Sequence, residues 1–274
     1  MPEGHTLHRL ALDHTKLFAG TPLEVTSPQG RVTEAAATVD GQRLDRVTAY
    51  GKHLFYEWER GDVIHVHLGL FGRFFLHPSP PPAPRDTVRL RLQGETSTID
   101  LVGATACELM DPVQVDALLA RLGPDPIRRD GNPEKAWPKI ARRASPIGLA
   151  LMDQSVISGV GNVYRAEVLF VHGIHPEVPA RAITHDQWMA MWATLQTWLR
   201  QGVKDRRIIT VPPAEVGKPR SRITRGEALY VYKRDHCRVC GTEIRRWDLG
   251  GRWAYACETC QPPPTGAVPA GPAG

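Results

Sequence analysis

Cys237 and Cys240, then Cys257 and Cys260, form two C-x2-C pairs separated by 16 residues. Thiolates are soft donors, and two such knuckles at this separation can supply the four ligands of a tetrahedral zinc site. With sulfur in all four positions no place remains for a substrate, so the implied metal is structural, one Zn2+ per chain. A redox dithiol is the other use of a C-x2-C pair. Between the knuckles "DLGGR" suits a hairpin turn, with Arg245, Arg246 and Arg252 on or beside it. Arg252, next to Gly250 and Gly251, is placed to fork onto a phosphate; the alternative is a ribbon that only docks a protein partner. Cys107 stands alone and reads as a small, inert apolar residue.

A second group lies in "LMDQSVISGVGNVYRAEVLF". Gly159 and Gly161 allow a tight turn ahead of a helix that begins near Asn162. Backbone N–H groups at such a helix start, with the Asn162 amide, would face an anion and hold a phosphate without reading bases. A third possibility is the chain start itself, "MPEGHTLHRL". Leu7, Leu10, Ala11, His14, Leu17 and Phe18 make one mostly apolar helical stripe, so the terminus is tied to a packed element almost from its first residue. Chain ends are usually frayed, which makes a fastened one a candidate for chemistry.

These groups need positioning, and the texture of the chain suggests how. At 274 residues, 42% hydrophobic and 23% charged, it has the composition of a soluble globular protein of about two domains. It shows no membrane-length apolar run and no secretory signal, so a cytoplasmic location is expected. Residues 204–252 hold 13 Lys or Arg against 6 Asp or Glu, while the remainder is slightly acidic. A one-sided basic segment fits a polyanion-binding face, or more plainly a solvated loop. Residues 41–78 read as short antiparallel strands with tight turns, and Val88–Leu92 and Ile99–Leu101 as two alternating strands. After Met110 the pattern turns helical: Asp111 caps a helix with Pro112 at its first position, and four further helical stretches follow as far as "THDQWMAMWATLQTWLRQG". "GPDPIRRDGNP" reads as a hinge, residues 203–226 as a mobile loop, and "QPPPTGAVPAGPAG" as a disordered tail.

Four motifs, "MPEG", "YGKHL", "LMDQSVISGVGNVYRAEVLF" and "GGRWAYACETCQ", occur in this order from Pro2 to Gln261. Together they resemble the formamidopyrimidine-DNA glycosylase/endonuclease VIII family of base-excision repair enzymes. "PEG" after Met1 and "LMDPVQVDALLARLGPDPI" lean toward the endonuclease VIII branch, and "PEGHTLHRLA" resembles its actinobacterial members. The resemblance implies an α+β fold with an N-terminal β-sandwich carrying one helix (1–112). A helix-two-turns-helix domain (113–227), a four-cysteine zinc hairpin (228–262) and a disordered tail (263–274) follow.

It also implies roles. Met1 is removed and the secondary amine of Pro2 attacks C1′ of the damaged nucleotide. An unperturbed α-amino group has a pKa of about 8 against about 10.4 for lysine, which favours a terminus as nucleophile. The iminium formed by a secondary amine stays cationic and serves as an electron sink. Glu3 shuttles protons, and Lys52 contacts phosphate and assists base release. Arg252 and Asn162 grip phosphates, with Gln154 and Gly161 also on the DNA-binding turn. Leu70 and Phe71, flanked by glycines in "HLGLFGRFF", are candidates for the wedge that fills the hole left by a flipped base, or else for packed strand core. The Arg/Phe void-filling loop of the formamidopyrimidine branch is absent. The expected partner is DNA with oxidised bases or abasic sites, met by a monomer at the nucleoid. Two other classes stay open: a silent member that binds damaged DNA without cutting it, and a zinc-ribbon interaction module.

Overall fold

The computed structural model describes residues 2–264, in two compact units divided between Arg121 and Leu122. The first unit runs α1 (Gly4–Phe18), β1 (Glu24–Thr26), α2 (Thr33–Val39), β2 (Leu44–Tyr50), β3 (His53–Trp58), β4 (Val63–His67), β5 (Arg73–Pro78), β6 (Val88–Gln93), β7 (Ser97–Val102), β8 (Ala106–Met110) and α3 (Pro112–Ala120). Its strands form two four-stranded antiparallel sheets, ordered β1-β6-β7-β5 and β2-β3-β4-β8. Strand alternation sends Leu54, Tyr56, Ile64 and Val66 from one sheet, and Leu90, Leu92, Ile99 and Leu101 from the other, into a single shared core. Leu7, Ala11 and Phe18 of α1 join that core.

Helix α3 starts as its signals predict: Asp111 and Gln114 exchange side-chain-to-backbone hydrogen bonds in a capping box, with Pro112 in the first turn. It does not open the second domain, however. Leu118, with Val115 and Leu119, packs on Phe55 and Val63 of the β2-β3-β4-β8 sheet, so the division falls after Arg121 and not at 112. Capping chemistry places a helix along the chain but is silent about which sheet its apolar stripe will cover.

The second unit contains α4 (Trp137–Ala141), α5 (Ile147–Ala150), α6 (Asn162–Val171), α7 (His185–Asp205), α8 (Pro213–Val216), β9 (Arg245–Asp248) and β10 (Trp253–Ala256), with single 3-10 turns at 133–135, 180–182 and 220–222. Prolines 133, 138 and 146 cut the two early helical stretches to one turn or little more. Helix α6 is buried from Asn162 through Phe170. Tyr164, Val168 and Leu169 enter the core with Trp188, Met191, Leu195 and Leu199 of α7, whereas Ala166 and Phe170 join a smaller core with Tyr230, Val231, Ile244 and Tyr255.

The segment expected as a mobile loop, 203–226, is folded. Helix α7 runs on to Asp205, and Ile209 and Ile223 are buried with Ala228. Arg207 donates to the carbonyls of Ile223 and Arg220 at 2.7 and 3.0 Å, and Arg220 to that of Ile209 at 2.8 Å. Its arginines tie the loop together by donating to backbone carbonyls 11 to 16 residues away, a reach that no local pattern announces. Residues 265–274 of the expected tail, and Met1, lie outside the described residues. No helix among the described residues is long and apolar enough to cross a membrane.

Candidate active site and metal centre

In the first unit the chain start is built into the fold. Glu3 is the N-cap of α1, with its carbonyl accepting from Thr6 N–H at 2.8 Å and its side chain wholly buried; Pro2 beside it is half-buried. The helix is fastened at two polar points besides its apolar stripe. His14 Nδ1 lies 2.7 Å from the Tyr56 hydroxyl, and Thr15 Oγ1 donates to the Val47 carbonyl and accepts from its N–H. Burial holds His5 and His14 down to about 4, so both rings are neutral near pH 7. Pro2 and the buried Glu3 side chain are thereby set next to one another at the head of a fastened helix.

Lys52 sits half-buried at the tip of the β2–β3 hairpin, where Gly51 supplies the left-handed turn at φ +56°. Leu70 and Phe71 lie on the turn between β4 and β5 and are 42% and 78% exposed, which removes the packed-core alternative for both. Their turn needs its glycines: a Cβ on Gly72 would stand 2.3 Å from the Leu68 carbonyl oxygen, and one on Gly69 only 1.8 Å from Thr105 Oγ1. A second polar group on this unit is formed by His53, His65 and Glu108 on the outer face of the β2-β3-β4-β8 sheet. The alternation in "HVH" was the available signal, but linking it to Glu108 requires the strand register.

In the second unit, Gln154 is expected on the DNA-binding turn, but its amide is consumed in building that turn. Nε2 donates to the carbonyls of Met152 and Val160, and Oε1 accepts from Gly159 N–H, all at 3.0 Å. Gly161 is the N-cap of α6 in extended conformation. Asn162 is buried and points inward: Nδ2 donates to the Trp253 carbonyl at 3.0 Å, and Oδ1 accepts from Arg165. Its side chain is therefore a staple to β10, not an outward amide. Two further residues of this helix, absent from the sequence expectations, are polar anchors. The buried Arg165 donates to the same Trp253 carbonyl at 2.8 Å. The fully buried Glu167 accepts from the Thr210 hydroxyl and from the N–H groups of Tyr230, Val231 and Tyr232, fastening two remote loops to α6. Burial raises its carboxyl pKa, and the four donors act against that rise. Both partners of each contact are far apart in sequence, so only the periodicity of α6, buried all round, hinted at them.

The four cysteine sulfurs converge within 4.8 Å of one another, with Cys240 Sγ 3.4 Å from Cys257 Sγ and 3.6 Å from Cys260 Sγ, and Cys237 Sγ 3.9 Å from Cys260 Sγ. A tetrahedron of Zn–S bonds of about 2.3 Å has edges of about 3.8 Å; these separations fit one and are far too long for a disulfide. The knuckles are held by backbone bonds, Gly241 N–H to Cys237 carbonyl and Gln261 N–H to Cys257 carbonyl, and Gln261 Nε2 also reaches the Ile174 carbonyl at 2.7 Å. Between them β9 and β10 pair antiparallel across a turn in which Gly250 and Gly251 both have positive φ. Arg245 is taken by Glu258 and stacks on Trp247, and Arg246 lies over Trp253. Arg252 is half-buried on the turn, and its guanidinium has no hydrogen bond or ion pair among the described residues. Cys107, on β8 and buried in the core shared by the two sheets, has its thiol pushed up to about 12 by burial, in keeping with an inert role.

Comparison with known proteins agrees over both units. The family model described as the formamidopyrimidine-DNA glycosylase N-terminal domain matches residues 1–104, and that for the H2TH domain matches 122–212. Endonuclease 8 1 of Mycobacterium tuberculosis is 46% identical over 267 residues, covering 95% of this chain and all of the relative. The formamidopyrimidine-DNA glycosylase of Synechococcus elongatus is 30% identical over 232 residues, covering 81% and 80%. The solved structure of MutM in complex with carbocyclic 8-oxo-G containing DNA shares the fold, with a TM-score of 0.81 at 21% identity over 96% of this chain and 100% of that one. The chain belongs to the formamidopyrimidine-DNA glycosylase/endonuclease VIII family.

Proposed function

We propose that this protein is a bifunctional DNA glycosylase and abasic-site lyase that excises oxidised bases, pyrimidines foremost, and cleaves the strand by β,δ-elimination. The observation that carries the reading is the pairing of Pro2 with the wholly buried Glu3 at the head of a clamped helix. Once Met1 is removed, the Pro2 nitrogen is a secondary amine. Its attack on C1′ breaks the bond to the damaged base. The resulting iminium has no N–H to lose, so it stays cationic and draws electrons from C2′ as the phosphate leaves. Glu3 is the proton carrier for ring opening and C2′ deprotonation. Lys52 and Arg252 hold the phosphates flanking the lesion, and Leu70 with Phe71 fills the stack once the base is turned out. Cys237, Cys240, Cys257 and Cys260 would hold a zinc ion, which supplies cross-linking of the ribbon and no open coordination position.

Borohydride trapping on abasic DNA tests the reading. The expected result is a covalent adduct on Pro2, weakened in Pro2→Gly and lost when an uncleaved tag precedes the proline. Tight DNA binding with no adduct from the processed protein would assign the chain to a silent damage-binding role instead. Excision followed by product end-group analysis on a panel of oxidised pyrimidines and purines tests the substrate class and the elimination chemistry.

A further inference from the structure

On the outer face of the β2-β3-β4-β8 sheet a carboxylate and two imidazoles are joined in series. Glu108 Oε1 lies 2.9 Å from His65 Nδ1, and His65 Nε2 lies 2.9 Å from His53 Nδ1. Register brings them together: His65 pairs with Glu108 across β4–β8, and His53 pairs with His67 across β3–β4. An ionised carboxylate only accepts, so His65 donates from Nδ1. A neutral His65 then offers a lone pair at Nε2, and His53 must donate from its own Nδ1. Burial first of all lowers the pKa of both rings, which keeps them neutral near pH 7. Both histidines are thereby held as Nδ1–H tautomers. His65 is 3% exposed, with the rings of His53 and Phe55 beside it at centroid distances of 5.1 and 5.4 Å.

His53 directly follows Lys52, and Tyr50↔His53 is the last paired position of the hairpin before its Gly51–Lys52 tip. The Gly51–Lys52 tip is carried directly on that pair, so what fixes His53 also fixes where the tip stands. We propose that His53 is a positioning residue for Lys52: the Glu108–His65–His53 series is a strut that fixes the hairpin tip, and with it the lysine ammonium, against the sheet. The inference rests on the reading of Lys52 as a DNA contact and deepens it.

Three substitutions separate the strut from other roles. Asparagine at 53 retains a donor where Nδ1 stood, glutamine places its amide where Nε2 stood, and alanine supplies neither. His53→Ala and His53→Gln should each lower kcat/KM for base excision about tenfold, the scale of one net hydrogen bond, while His53→Asn stays within about threefold of the parent. In a Lys52→Ala background, His53→Ala should cost nothing further. In the unmodified protein, nitrogen-15 NMR of the histidine rings should show His53 and His65 as Nδ1–H tautomers, with Glu108→Ala releasing that preference. The strut is overturned if His53→Asn is as damaged as alanine, if the losses at 52 and 53 add, or if the two rings carry their protons on Nε2. A Lys52→Ala enzyme of full activity would instead remove the Lys52 reading, and the strut with it.

Discussion

The side-chain amide of Asn162 donates to the main-chain carbonyl of Trp253 across 3.0 Å, so the first turn of α6 is fastened to the residue that follows Arg252. Two motifs 91 positions apart are thus one construction, in which Asn162 and Arg165 set the turn and Arg252 presents the charge. The two should fail differently. If Arg252 grips a phosphate as proposed, Arg252→Ala should lower the salt slope of DNA binding by about one. Asn162→Ala leaves the charge in place, so the slope should persist while affinity falls about tenfold and unfolding is easier by about 1 kcal/mol. Salt titrations of both variants on an abasic-analogue duplex check this; an unchanged affinity for Asn162→Ala would show that the staple does not place Arg252.

Phe71 is 78% exposed on a turn whose glycines hold it in place. Phe71→Ala should therefore change stability by no more than about 0.5 kcal/mol. If the ring fills the space of the flipped base, excision from duplex should slow markedly while excision from single strands, which have no stack to open, changes little. Equal loss on both substrates would argue against a wedge.

Acid should weaken the first unit through His14. Its folded-state pKa is held down to about 4 by burial, below the unfolded value of about 6.5. The unfolded chain binds the proton more readily, so the stability due to the neutral ring is complete above pH 6.5 and is lost as pH falls toward 4. By pH 5 the loss is about 2 kcal/mol. Urea titrations at pH 7 and pH 5 should show it, and His14→Gln should shrink the difference by about that amount, with His5, His53 and His65, lowered in the same way, keeping the rest; an equal difference in the variant would place the acid sensitivity wholly elsewhere.

The cysteine cluster predicts one equivalent of zinc in folded protein, measured by metal analysis. A strong chelator should unfold the ribbon and collapse DNA affinity, because β9, β10 and the Arg252 turn rest on a core that includes Cys237 and Cys257. Less than half an equivalent in fully folded, DNA-binding protein would exclude a structural metal.

What the sequence determined by itself was local. The spacing of the cysteines, the Gly–Gly turn before Arg252, the caps of α3 and the stripe of α1 are each settled by residues within a few turns of one another, and each stands in the structure as expected, except that Leu17 of the stripe is exposed. Family membership was legible for the same reason, since it rests on short motifs in a fixed order. The tertiary structure decided everything that depends on which remote groups meet. It gave α3 to the first unit because the exposed face of a sheet was there to be covered. It turned residues 203–226 from loose charge into a folded loop by pairing guanidiniums with backbone carbonyls. It also set Asn162 to fastening β10 and joined His53 to Glu108 through His65. Hydrogen bonds between groups ten or more residues apart depend on strand register and helix packing, and those are properties of the whole fold.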